Sequence, residues 1–458
     1  MMGVSRRRFL ANSALLALYG AASRPASAAS ASLPWRNWSG GQVAYPAGRI
    51  EPATETELID FLASSQGPIR PVGSGHSFTG LVPTDGQLIV IDRLNGLLDY
   101  DSDTLEATFA AGARLGDTGS ALEAVGQAMF NLPDIDRQTL AGATATATHG
   151  TGLEFFNLSG YITGLRLVTS TGSVLDLDAE HQPDVFDAAR VSLGALGIVT
   201  RIRMRNRTPY RLKQRSWIMP IDEVMEQFED LAGSHRHFEI FPLTHSDYAI
   251  ALATDETTDA INNPEPSPEE AAAFDEAMAS FAQVPPEQRK PLVNGLAQQI
   301  EPSERVDVSY RVLTNIRNNR FNEMEYSVPR ESGAECLREV LATIEEKKID
   351  VVFPLEYRYV KGDDLWLSMS TGDEDHAAIS IHRTAAADYQ TYFNTIEPIF
   401  WKYEGRPHWG KLHSLGRSEL TRLYPRFEEF LAVRKELDPQ GRLLNDHLRF
   451  LFGEMGSG

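Results

Sequence analysis

The sequence predicts an α+β protein built from two unlike halves, and three observations carry that reading. From Trp35 to about Asn206, short apolar runs alternate with helical stretches and close in a hairpin. Between about residue 207 and residue 411 the texture changes to paired strands interrupted by an acidic excursion, and the tail beyond is largely helical. With 458 residues there is room for two or three domains, and no internal repeat stands out.

The first thirty residues read as a targeting segment. Ser5-Arg6-Arg7-Arg8-Phe9-Leu10 sets paired arginines before an apolar run from Leu10 to Ala22, and Ala26-Ser27-Ala28 supplies small residues for cleavage. This is the pattern of a twin-arginine signal, and it predicts a periplasmic or secreted protein. The apolar run is too short and too interrupted to span a bilayer, which takes about 20 residues, so no stable membrane insertion is expected.

In the first half, Glu55 to Ser65 reads as a helix, Gln87 to Ile91 and Thr108 to Ala111 as strands, and Arg114 to Gly126 as a helix. Leu165 to Thr169 and Ser173 to Leu177, joined through Ser-Thr-Gly, form the hairpin. In the second half, Ile218 to Ile221 leads into a helix through Leu231, and Phe238–Pro242 pairs with Tyr248–Leu252. Thr254 to Glu304 is acidic and rich in Ala and Pro, and reads as a helical excursion. Phe321 to Pro329, a helix from Ala334 to Lys348, and strands Val351–Val360 and Ala377–His382 follow. The tail is helical from Leu420 to Leu437 with a restart at Pro425, and Asp438-Pro439-Gln440-Gly441 turns it.

Charge narrows the partners. Forty-three basic residues against 63 acidic ones give a net charge of −20, which repels nucleic acid and anionic membrane and suits a small neutral or weakly charged ligand. Cys336 is the single cysteine. No intrachain disulfide, Cys-based zinc site or iron–sulfur cluster can therefore form, and Cys336 reads as a small buried apolar residue.

The stretch Ile69-Arg70-Pro71-Val72-Gly73-Ser74-Gly75-His76-Ser77-Phe78 carries the first functional signal. A short apolar run breaks at two glycines, whose missing side chains let consecutive N–H groups approach an anion, and then presents an imidazole and a hydroxyl. Such a turn suits a pyrophosphate. Position 78 is Phe, so the spacing is not that of a G-x-G-x-x-G dinucleotide turn. Further along lie Leu140-Ala141-Gly142-Ala143, Thr148-His149-Gly150-Thr151-Gly152, and Ser192-Leu193-Gly194-Ala195-Leu196-Gly197-Ile198-Val199-Thr200.

In this order the motifs resemble the FAD-binding domain of the vanillyl-alcohol-oxidase-type (PCMH) flavoproteins. Asn37-Trp38-Ser39-Gly40 and Arg406-Pro407-His408-Trp409-Gly410-Lys411 narrow the resemblance to the sugar-acting branch, the aldonolactone oxidoreductases and alditol oxidases. It covers nearly the whole chain after about residue 35. It implies an FAD-binding domain over residues 35–206, a substrate or cap domain on an antiparallel sheet over 207–411, and a segment, 412–458, that returns to the FAD domain. The cofactor residues it implies are Val72, Gly73, Ser74, Gly75, His76, Ser77, Gly142, Thr148, His149, Gly150, Gly197, Ile198, His408 and Lys411, with FAD attached covalently through His76. The implied reaction oxidises a hydroxyl of a sugar lactone or a polyol and passes electrons to oxygen or another acceptor.

Alcohol oxidation needs a group that takes the hydroxyl proton and a cation that holds the developing alkoxide. Strand alternation puts Glu356 and Arg358 on one face, and Ser380, His382 and Thr384 on another strand's face. Read by themselves these residues are equally an ion pair and a core histidine. By resemblance His382 is the base, Arg358 and Lys411 hold the alkoxide and the reduced flavin, and Asp134, Glu323, Glu356 and Thr384 bind substrate with Arg358. An imidazole of ordinary pKa, about 6.5, is expected to be largely in its base form near neutrality. Pro133 occupies the place of the small residue that sits by the ring edge, which leaves oxidase and dehydrogenase both open. A metal-dependent hydrolase using His376, His382, His408 and His413 is the rival reading; their spacing matches no zinc signature, and no metal ligand is expected. A sugar-binding protein without catalysis is the other rival.

Overall fold

A computed structural model describes residues 33–264, 280–315 and 319–454. The targeting segment lies outside them. The chain folds as α+β, with a small parallel sheet and two larger antiparallel ones.

The parallel sheet has three strands in the order Gly48–Ile50, Gln87–Val90, Ile69–Val72. Glu55–Ser64 is the helix that joins the first of these to the last. Thr54 caps it by accepting the Glu57 N–H at 3.2 Å, and Leu58 and Leu62 are its buried stripe. Beside it stands an antiparallel sheet in the order Leu97–Asp101, Glu106–Ala110, Ile198–Arg205, Ile162–Val168, Val174–Leu177. The expected hairpin is its last pair, Leu165 facing Leu177.

The third sheet has eight antiparallel strands, in the order Ser303–Val308, Arg211–Pro220, Tyr248–Thr257, His237–Pro242, Glu356–Val360, His376–Thr384, Phe321–Pro329, Arg406–Pro407. Helices Ile221–Ser234 and Arg330–Glu346 pack against it through Val224, Met225 and Phe228, and through Cys336, Leu337 and Val340. Cys336 is fully buried and unpaired. Two expectations here need correcting. The strand expected from Val351 begins only at Glu356, because Pro354 has no N–H to give a ladder. The excursion is flanked by strand: Tyr248–Thr257 runs into it and Ser303–Val308 leaves it, both bonded to Arg211–Pro220. Its described helix is Pro286–Ala297.

The tail forms helices Arg417–Leu423 and Phe427–Leu437, broken at Pro425. Asp438, fully buried, accepts the N–H groups of Arg442 and Leu443 and the Ser170 hydroxyl. From there the tail bonds to the chain's beginning. Ile69 N–H donates to Arg442 O, Arg70 to Leu443 O, and Asn445 to Gly80 O and Pro83 O. No described helix is long and apolar enough to cross a membrane.

Candidate active site

Two cavities meet at the Gly-Ser-Gly-His turn. The first is lined by Arg70–Ser77, by residues of the Gln138–Thr146 segment and by the Ser192–Val199 loop. Gly73, Gly75, Gly142, Gly194 and Gly197 are among its lining residues. A Cβ on Gly73 would sit 1.9 Å from Thr139 Oγ1, and Gly75 has φ +67°, so the turn accepts no ordinary side chain at either place. Arg70, 2 % exposed, braces the turn by donating to the carbonyls of Leu81, Leu193, Gly194 and Leu443. Val72, Gly73, Ser74, Gly75, His76, Ser77, Gly142, Gly197 and Ile198 all line this cavity, as expected of cofactor residues.

The second cavity, about 620 Å³, shares His76, Ser77, Gln138 and Thr146 with the first. Its far wall is one face of four neighbouring strands of the eight-stranded sheet. Period-two alternation brings Phe321, Glu323 and Glu325 together on one strand, Glu356 and Arg358 on the next but one, and His382 and Thr384 between them. Register completes the set: Glu323 faces His382, Glu325 and Glu356 both face Ser380, and Glu239 faces Arg358. The Arg406–Lys411 motif ties this sheet to the turn. His408 N–H donates to Glu325 O, Leu412 N–H to Glu323 O, and Phe78 N–H to Gly410 O.

Every residue expected at the reaction, His382, Arg358, Lys411, Asp134, Glu323, Glu356 and Thr384, lines this second cavity. So do Thr148, His149 and His408. Gly150 lines neither cavity; a Cβ there would meet Leu132 O at 2.4 Å, so it serves packing. Three participants were missed. Glu325, 1 % exposed, accepts the Ser380 hydroxyl at 2.7 Å, faces Arg358 at 3.4 Å and meets His149 Nε2 at 2.7 Å. Glu239 accepts the Thr151 hydroxyl and lies 3.7 Å from Arg358. Gln138 has a buried amide oxygen with no partner among the described residues. An acidic residue two places beyond Glu323 in an apolar strand was the available signal for Glu325.

The charges are interlocked. Arg358 contacts Glu356 at 3.2 Å as well as Glu325 and Glu239, and these carboxylates hold its proton more firmly than usual against the opposing effect of burial. Lys411 pairs with Glu323. Burial would raise the Glu323 pKa, but Lys411 and His382 bring it down to about 2. His382 Nε2 lies 3.6 Å from Glu323 and 3.8 Å from Glu356, and its Nδ1 is 3.3 Å from Pro354 O. Burial opposes its proton, yet the two carboxylates prevail and raise its pKa. Both ring nitrogens face acceptors, so His382 gives up its proton less readily than an ordinary imidazole. Burial and the cations Lys411, Arg114 and Arg137 lower His76 to about 4, and Trp38 stacks on its ring at 5.2 Å.

The four histidines of the hydrolase reading are not gathered. His376 bonds Glu374 O and Arg406 outside the cavity, and the His413 ring nitrogens are buried without partners among the described residues. Ligand atoms of His149, Glu325 and His408 do lie within 4.8 Å of one another. The His149–Glu325 contact, at 2.7 Å, is a direct hydrogen bond that leaves no room for an ion between its atoms.

The residues fit a flavin nucleotide. A glycine-lined channel opens onto a larger charged cavity, and an unpartnered amide oxygen stands at their junction, where it can accept from a ring N–H.

Comparison with known proteins agrees with this geometry. The family described as FAD binding domain matches residues 46–178, and that described as D-arabinono-1,4-lactone oxidase matches residues 202–451. The L-gulono-1,4-lactone dehydrogenase of Mycobacterium tuberculosis is 36% identical over 92% of this chain and 99% of its own length. The L-gulonolactone oxidase of Bos taurus and the alditol oxidase of a Streptomyces species are each 27% identical, over 91% of this chain and 98% of theirs. The solved cholesterol oxidase of Brevibacterium sterolicum superposes with a TM-score of 0.74 at 16% identity, covering 92% of this chain and 96% of that one, a likeness of fold alone. The chain thus belongs to the D-arabinono-1,4-lactone oxidase family, with the match to that family lying behind an FAD-binding domain.

Proposed function

We propose that this protein is an FAD-dependent oxidoreductase that oxidises a ring or chain hydroxyl of a sugar-derived aldonolactone of the gulono-, galactono- or arabinono-1,4-lactone type. The observation that carries the reading is the second cavity, where a buried imidazole, two paired cations and several carboxylates line the same space as His76. The relatives' names point to the same chemistry. Bound FAD supplies a two-electron acceptor for the hydride leaving carbon. Val72–Ser77, Gly142, Thr148, His149, Gly197, Ile198, His408 and Lys411 hold it. In this reading residues 35–206 and 412–458 form the cofactor domain, and 207–411 the cap.

The chain's own residues divide the remaining work. Glu356, Glu323, Asp134 and Thr384 accept or donate hydrogen bonds to the substrate's hydroxyls. His382 takes the reacting hydroxyl's proton at Nε2 once it has lost its own. Arg358 and Lys411 carry the positive charge that stabilises the alkoxide as that proton leaves. His76 is the point of covalent attachment; its low pKa keeps a ring lone pair free for bonding. Export as a folded protein by the twin-arginine route agrees with a cofactor that cannot dissociate.

The name of the 36%-identical Mycobacterium tuberculosis relative favours a dehydrogenase over an oxidase, and Pro133, which leaves both open, lines the second cavity. Alditol oxidation is the second reading, favoured by the number of hydroxyl-binding groups and by the Streptomyces relative. A panel of aldonolactones and alditols, each assayed with oxygen and with a dye acceptor, separates these. Lactone turnover with dye alone is the expected result; alditol turnover with peroxide release supports the second reading. Yellow colour that stays in an acid-precipitated pellet is expected for attachment at His76, and colour released to the supernatant removes that part.

A further inference from the structure

We infer that Arg289 is a positioning residue for the substrate cavity. It ties the excursion, at Ala282 and Gln283, to the loop of Val352, Phe353 and Pro354, and so holds the carbonyl that orients His382. The inference rests on the reading of His382 given above, and it gives the acidic excursion a place at the site.

All five of these wall residues line the second cavity. The first two sit at a break in helix. A helical stretch stops at Ala282, and the next begins at Pro286. Pro285 and Pro286 have no N–H, so neither can donate back to the carbonyls of Phe281 and Ala282. Arg289, 1 % exposed, turns its own donors to this break: Nε donates to Phe281 O at 3.1 Å and to Val284 O at 2.8 Å. Its Nη1 reaches across to Val351 O at 3.1 Å, and its Nη2 donates to the Asp350 carboxylate. The helix that carries it, Pro286–Ala297, is itself fixed to the turn between strands His237–Pro242 and Tyr248–Thr257. There Asn294 accepts the Ser246 hydroxyl at 2.8 Å, and Lys290 lies 2.8 Å from Asp247.

The second segment is a loop outside any strand, pinned at both ends. Val351 O also accepts the Thr244 hydroxyl at 3.2 Å, and Leu355 N–H donates to Pro242 O at 2.9 Å. Between the pins stand Pro354, whose carbonyl lies 3.3 Å from His382 Nδ1, and Phe353, whose ring centroid is 6.1 Å from that of His382. A carbonyl only accepts, so this contact keeps a proton on Nδ1 and leaves Nε2 as the nitrogen that exchanges one with substrate. The junction calls for a guanidinium. Its acceptors, the carbonyls of Phe281, Val284 and Val351 and the Asp350 carboxylate, surround one planar fork, whereas a lysine ammonium is a single point that cannot span them.

The test compares Arg289→Lys with Gln283→Trp in the flavin-loaded enzyme, with an aldonolactone as substrate. Arg289→Lys keeps the charge beside Asp350 and loses the fork. Its KM is expected to rise about tenfold or more, and flavin reduction at saturating lactone to slow. A role in stability alone would lower the melting temperature and leave the KM of the folded enzyme unchanged, and that result overturns the inference. Gln283→Trp, at an exposed position, leaves Arg289 and its bonds in place, so it reports on the wall even where Arg289→Lys fails to fold. It is expected to change KM by about threefold or more; an unchanged KM removes the excursion from the site. Amide hydrogen exchange needs neither flavin nor substrate. In Arg289→Lys the amides of Gln283, Val284 and Leu355 are expected to exchange about tenfold faster or more, with those of strand Phe321–Pro329 unchanged. Unaltered protection in either segment overturns the tie. Should no lactone or alditol reduce the flavin, the proposed function fails, and the exchange still decides whether Arg289 joins the two walls.

Discussion

The two cavities that meet at His76 are built on opposite plans. The first is lined by five glycines, at two of which, Gly73 and Gly75, the turn accepts no ordinary side chain, so recognition there depends on what is missing from the wall. The second is a face of side chains, with Arg358, Lys411 and His382 each set against one or more of Glu239, Glu323, Glu325 and Glu356. A channel of the first kind fails by volume, and a cluster of the second kind by charge. The difference also decides how each is written in the chain. A turn is made by consecutive residues, whereas the charge cluster exists only after four strands have paired in register.

The contrast can be broken from either side. The largest effect is expected from Gly73→Val, whose side chain would overlap Thr139; flavin content of the purified protein should fall to nearly nothing while the charge cluster stays intact, as an absorbance ratio would show. Arg358→Met is next. It leaves three carboxylates facing one another without their shared cation, and should cost about 3–5 kcal/mol of stability and slow flavin reduction by about 10²-fold or more. Denaturation and rapid-mixing measurements report these separately.

His382→Ala should depress flavin reduction by about 10²–10⁴-fold with a much smaller change in substrate Kd; equal effects on both would remove His382 from the proton transfer. The charge network adds a sign to this prediction. Because Glu323 and Glu356 raise the His382 pKa, the fraction able to accept a proton grows as pH rises, with its midpoint above the ordinary 6.5. Flavin reduction should therefore speed up through and above neutrality, and that limb should vanish in His382→Ala. The smallest effect is expected from Thr384→Val, which removes one hydroxyl from the cavity rim and should raise KM by about tenfold or less, leaving flavin content and the pH limb unchanged.

Much of the first cavity was legible because local rules suffice for it. Gly73, Gly75 and His76 sit in one turn, and their residue types announce its conformation. Period-two alternation likewise paired Glu356 with Arg358, and His382 with Thr384, before any strand order was known. Glu325 and Glu239 were not found, since each acquires meaning from a neighbour on another strand, Ser380 or Arg358. The upward shift of the His382 pKa was not foreseen for the same reason: the carboxylates that cause it come from strands Phe321–Pro329 and Glu356–Val360. Gly150, placed with the cofactor by the resemblance of its motif, lies where a Cβ would meet Leu132 O at 2.4 Å. In the 254–304 excursion, acidic composition masked strand at both ends, where antiparallel pairing with Arg211–Pro220 outweighs local propensity.

The central claim is that a sugar-lactone hydroxyl is oxidised in the second cavity and its electrons enter a flavin held by the first. The most direct measurement is the visible spectrum of the purified protein, titrated with L-gulono-1,4-lactone and related aldonolactones in the absence of oxygen. The account predicts that one of these lactones bleaches the flavin band at close to one equivalent, and that His382→Ala slows the bleaching without changing the starting spectrum. A flavin band that no lactone or alditol bleaches, or a protein with no flavin band at all, would contradict it.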